Sequence, residues 1–86
     1  MPKRPNDPRG KSLVIKRNIR IGGQETSATL EDAFWNAFKD IAAAKGTPVN
    51  NLIELIDRHR RREHHNNLSS AIRLFVLEYY RSRMQP

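Results

Sequence analysis

The sequence predicts a mainly α protein that carries a short β-ribbon near its N-terminal end. Three observations point that way. Residues 12–21, "SLVIKRNIRI", alternate apolar and polar side chains and run into Gly22-Gly23. Two apolar stripes at helical spacing flank the break "KGTPVN" at residues 45–50. A third stripe follows the polar run "RHRRREHHNN" at residues 58–67.

Taken in order, residues 1–11 combine Pro2, Pro5 and Pro8 with Lys3, Arg4, Arg9 and Lys11. That composition has too little apolar surface to pack and reads as a flexible basic arm. In the first strand, expected over about 13–21, Leu13, Ile15, Ile19 and Ile21 share one face and Arg17 interrupts it. Val14, Lys16, Asn18 and Arg20 share the other. Gly22-Gly23 is a two-residue hairpin signal, because glycine accepts the positive φ of tight primed turns. The second strand, about 24–30, then sets Glu25 opposite Arg20, a favourable cross-strand charge pair. Thr26, Ala28 and Leu30 are expected to face a core, and Glu25, Ser27 and Thr29 to face outward.

Residues 31–45 read as a helix, with Phe34, Trp35, Phe38, Ile41 and Ala42 on one stripe. Glu31 and Asp32 suit the positive end of its dipole, and Gly46 stops it. Thr47 is the expected N-cap of a second helix over about 48–61, with Pro48 at its first position. Val49, Leu52, Ile53 and Ile56 make its apolar stripe. A third helix, about 67–83, starts at Asn67 as cap and carries Leu68, Ala71, Ile72, Phe75, Val76 and Tyr79 on one broad face.

Composition narrows the function. The chain has 86 residues, a formal net charge of +7 and no cysteine. That is one small domain whose modest core invites oligomerisation. The charge favours an anionic partner such as nucleic acid, an acidic membrane or an acidic protein. Disulfides and thiolate metal sites are excluded. No apolar run reaches the roughly 18 residues of a membrane span. "MPKRPNDPRGK" lacks the apolar stretch of a signal peptide, so the cytoplasm is the expected compartment.

A hairpin followed by helices cannot complete a sheet in its own chain. Two copies can, by pairing their second strands antiparallel about a two-fold axis. The two-stranded ribbon so formed fits the major groove of B-DNA. The segment "LEDAFWNAFKDIAAAKGTPVNNLIELID" after a strand resembles the ribbon-helix-helix superfamily of the Arc and MetJ repressors. "TSATLEDAFWNAF" and the tail "NLSSAIRLFVLEYYR" resemble a mostly uncharacterised bacterial subfamily with an extra C-terminal helix. The resemblance spans about residues 16–83.

This resemblance implies an intertwined ribbon-helix-helix homodimer, here with an N-terminal hairpin extension and a third helix. It implies base contacts from Glu25, Ser27 and Thr29. It implies phosphate binding at Thr47, Val49 and Asn50, where a helix start offers free N–H donors; Pro48 has none. Lys16, Arg17 and Arg20 are the expected phosphate contacts of the first strand. The expected dimer core is Ala28, Leu30, Trp35, Phe38, Ile41, Val49, Leu52, Ile53 and Ile56. Two positions depart from the pattern. Glu25 stands where a basic residue is usual, and Ala28 where a larger aliphatic residue is usual.

Other chemistries are weakly supported. His59, His64 and His65 lack the four well-placed ligands of a structural zinc site. Phe34, Trp35 and Phe38 are spaced as core and not as base-stacking platforms. No nucleophile–base pair or phosphate-cradling glycine loop is present, so neither an enzyme nor a cofactor is expected. Arg58, Arg60, Arg61 and Arg62 suit a helix C-terminus or an acidic partner. The expected function is sequence-specific, double-stranded DNA binding by a homodimeric transcriptional repressor. The alternative is an antitoxin-like dimer that binds a protein through the third helix. A membrane-surface role for residues 67–84 is weaker, because their wide apolar face is more simply core.

Overall fold

The structure, a computed structural model, describes residues 13–63 and 67–84. The basic arm expected over residues 1–11, and His64 and His65, lie outside the described residues. Strand β1 (Val14–Ile21) and strand β2 (Gln24–Glu31) pair antiparallel. Helices α1 (Asp32–Lys45), α2 (Val49–Arg62) and α3 (Leu68–Met84) follow.

The hairpin turns where Gly22 and Gly23 take φ of 56° and 79°. Positive φ at both central residues matches the right-handed twist of the strands. Ile15 pairs with Leu30, Arg17 with Ala28, Ile19 with Thr26 and Ile21 with Gln24. These pairs share the face that meets the helices. Lys16 with Thr29, Asn18 with Ser27 and Arg20 with Glu25 share the opposite face. The turn is tethered to α2, since the Gly22 N–H donates to Glu54 Oε2 at 3.4 Å.

The helices cover only part of the inner face. Leu30, Ala28 and Ile19 are buried, whereas Thr26 and Ile15 are exposed. The alternation of the strands puts both on the core face, so their exposure is a departure from that expectation. The buried positions run diagonally across the hairpin, from Leu30 near the end of β2 to Ile19 near the end of β1. Thr26 and Ile15 sit at the two corners that this diagonal leaves open.

α1 ends at Gly46, whose φ of 64° is left-handed. The Gly46 N–H reaches the carbonyls of Ala42 and Ala43, and the Thr47 N–H reaches Ala42 O at 2.9 Å. This closes the helix end as a Schellman motif. Thr47 does not cap α2. Its hydroxyl donates back to Lys45 O at 3.4 Å, and Pro48 takes the N-cap place with ψ of 143°. With the Thr47 hydroxyl turned back to α1 and the Pro48 backbone itself extended, the helix starts one residue later than expected, at Val49. Asn67 does cap α3, its Oδ1 accepting the Ser70 N–H at 2.9 Å.

Phe38, Leu30, Ile41, Ile53 and Ile72 are almost fully buried and come from β2 and all three helices. Burying each is worth about 1.5–3 kcal/mol. Phe38 stacks on Trp35 at 6.1 Å and meets Phe75 edge-on at 6.0 Å, so the third helix is part of the same core.

Candidate nucleic-acid interface

The outer face of the hairpin carries Lys16, Asn18, Arg20, Glu25, Ser27 and Thr29. The pleat puts them there, since alternate side chains point to one side of a strand. All are exposed except Ser27, which is half-buried. Arg20 Nη2 lies 3.4 Å from Glu25 Oε2, and both side chains are mostly in solvent. At that exposure the contact is worth little for stability. It does place a cation beside the Glu25 carboxylate.

Arg17 is placed differently from the expectation that it reaches DNA. It lies on the inner face opposite Ala28, and its side chain is only 16% exposed. Its guanidinium pairs with Asp32 in the first turn of α1 and lies 5.5 Å from the Trp35 ring centroid. Its Nε is buried and meets no acceptor among the described residues.

The start of α2 carries Thr47, Val49 and Asn50. No side-chain cap closes it. Its first backbone N–H groups are therefore not claimed by a side chain and suit an anion. Of the residues expected in a dimer core, Ala28, Leu30, Phe38, Ile41, Leu52, Ile53 and Ile56 are buried within one protomer, and Trp35 and Val49 are half-buried.

α3 brings residues to β2 that sequence reasoning did not connect with it. Ser69 Oγ accepts the Thr29 N–H at 2.9 Å. Arg73 Nη2 donates to the Thr29 carbonyl at 3.2 Å, and its Nε donates to Glu31 Oε1 at 2.9 Å. The Arg73 hydrogen bond holds the Glu31 carboxyl below the ordinary glutamate range, with the backbone N–H of Glu31 helping and slight burial opposing.

The arginine run is partly committed. Asp57 is buried, and accepts from Arg60 and from Arg61 Nε at 2.9 Å. Among the described residues no group of three or more His, Cys, Asp or Glu side chains could hold a metal ion. No helix among them is long and apolar enough to cross a membrane.

The family model described as "Ribbon-helix-helix domain" matches residues 14–80. A solved structure, that of an uncharacterized protein from Bordetella pertussis Tohama I, is similar with a TM-score of 0.70 and 32% identity. The likeness covers 87% of this chain and 62% of that one, so this chain spans less than two thirds of that protein. No curated protein matches. The hairpin, the Gly46 break and the stripes of α1 and α2 all fall within the matched residues, and the chain belongs to the ribbon-helix-helix domain family.

Proposed function

We propose that the chain is a cytoplasmic, homodimeric DNA-binding regulator of transcription, acting as a repressor, whose β2 strands pair as a ribbon in the major groove. The observation that carries this is the outer face of the hairpin: an unbroken polar surface from Lys16 and Thr29 to Arg20 and Glu25, backed by an apolar helix layer. In this reading Glu25, Ser27 and Thr29 meet base edges. Lys16 and Arg20 lie near phosphates, and the α2 start at Thr47, Val49 and Asn50 binds one phosphate through its N–H groups. Arg17 leaves the set, because its charge is committed to Asp32.

Dimerisation is supported by apolar surface that one protomer leaves open. Leu55, Leu74 and Leu77 are about half exposed along α2 and α3. Leu55 and Leu74 also favour a second reading, in which the groove between α2 and α3 holds a helix of another protein. The groove is lined by Leu52, Leu55, Leu74, Phe75 and Tyr79.

The test is titration of a labelled duplex at two salt concentrations, with the mass of the complex measured. A dimer on DNA whose affinity falls steeply with salt is expected. Failure to retain DNA at low salt would favour the protein-binding reading.

A further inference from the structure

The edge of β2 that faces away from β1 is not uniformly open. In an antiparallel pair, residues alternate between turning their backbone N–H and C=O towards the neighbour and turning them away. Thr29 turns both groups to α3, where Ser69 Oγ and Arg73 Nη2 take them. By the same alternation Glu25 and Ser27 turn theirs to that edge. Arg73 is held there by more than Thr29. It also donates to Glu31 and lies 5.9 Å from the Phe34 ring centroid.

A ribbon with Ser27 on its two-fold axis pairs Glu25 of one copy with Thr29 of the other. A pairing strand sits about 4.8 Å away and needs the Thr29 N–H and C=O. Those are the groups that Ser69 and Arg73 occupy. We propose that α3 guards the pairing edge of β2: Ser69 and Arg73 compete with the β2 strand of a second copy for the backbone of Thr29, so the full ribbon forms only where they let go. The guard protects a strand edge that would otherwise be a template for unwanted pairing. It couples the position of α3 to how much ribbon is presented. This rests on the reading of β2 as the strand that pairs in the dimer.

The chain has no cysteine, so Ser27→Cys supplies its only thiol. The experiment measures the rate of disulfide-linked dimer formation by the full-length Ser27→Cys protein under a mild oxidant. The same rate is then measured with Ser69→Ala added, and separately with Arg73→Lys added. Circular dichroism checks that each protein folds. Arg73→Lys keeps the charge beside Glu31 but loses the fork that reaches Thr29, so it guards against simple unfolding. Lys39→Cys on the exposed side of α1 reports random collision.

Several-fold faster linkage at position 27 in both guard variants, with no change at position 39, is the expected result. Equal rates with and without the guard would overturn the proposal. So would fastest linkage at Glu25→Cys, which would mean an axis that leaves Thr29 out of the ribbon. No linkage at any β2 position would overturn the pairing and the guard together. DNA binding is read separately on the wild-type protein, because Ser27 belongs to the proposed base-contacting face. If linkage responds to the guard while the wild type binds no DNA, the regulator reading fails and the guard stands.

Discussion

Arg17 and Trp35 face each other across the inner side of the hairpin, with the guanidinium 5.5 Å from the ring centroid. The contact joins β1 to α1, and Asp32 beside it supplies the counter-charge. A cation in this place is structural, although its neighbours Lys16 and Asn18 point to the outer face.

Arg17→Ala is therefore expected to cost stability and not to act on DNA directly. It removes a part-buried charge-assisted hydrogen bond and a cation–π interaction, worth about 1–3 kcal/mol together. Urea unfolding measures this. Lys16→Ala should instead leave unfolding unchanged, weaken DNA binding, and lower the salt slope by about one for each phosphate that the protein no longer neutralises.

Glu25 should weaken the affinity of the ribbon for DNA, because a carboxylate is repelled by phosphate and is only partly offset by exposed Arg20. Glu25→Gln and Glu25→Arg are expected to tighten binding at low salt, the arginine more. Anisotropy titrations check this. Unchanged affinity in both variants would remove the outer face from the DNA interface.

The Glu31 carboxyl gives α3 a pH dependence. Its pKa is lowered in the folded protein, first by the Arg73 hydrogen bond. The stabilisation is thus fully present above the ordinary glutamate pKa. It is lost as pH falls through the lower folded value. Thermal melts from neutral to acid pH should show wild type losing more stability in that window than Glu31→Gln. The protection of the Thr29 amide against hydrogen exchange, taken relative to its intrinsic rate at each pH, should fall over the same range.

Gly46 stops α1 in a left-handed conformation that a side chain resists. A Cβ there would meet no atom of the rest of the fold within 4 Å, so the cost of Gly46→Ala comes from the local backbone alone. The conformational cost is about 1–2 kcal/mol. It should appear in unfolding midpoints, and it should displace the start of α2.

Much of the fold is legible in the sequence because it rests on local periodicity. The Gly22-Gly23 turn fixes the pairing of Arg20 with Glu25, and helical spacing brings Phe38, Ile41, Ile53 and Ile72 to one core. The role of Arg17 is not legible, because period two shows which face a residue shares but not what charge awaits it there. The partial cover of the hairpin's inner face, which leaves Thr26 and Ile15 exposed, depends on how the helices pack and is encoded in no single strand. Ser69 and Arg73 reach Thr29 from 40 and 44 residues away. A side chain bonding to a distant backbone leaves no periodic trace.

The central claim is that the outer side chains of β2 read base edges. Its most direct test is selection of bound duplexes from a random pool by wild type and by the Ser27→Ala/Thr29→Ala protein, with the dimer verified by mass for both. An enriched palindromic or tandem motif for wild type, changed or lost in the double variant, is the predicted result. The same motif enriched by both proteins, or no motif with wild type, would contradict it.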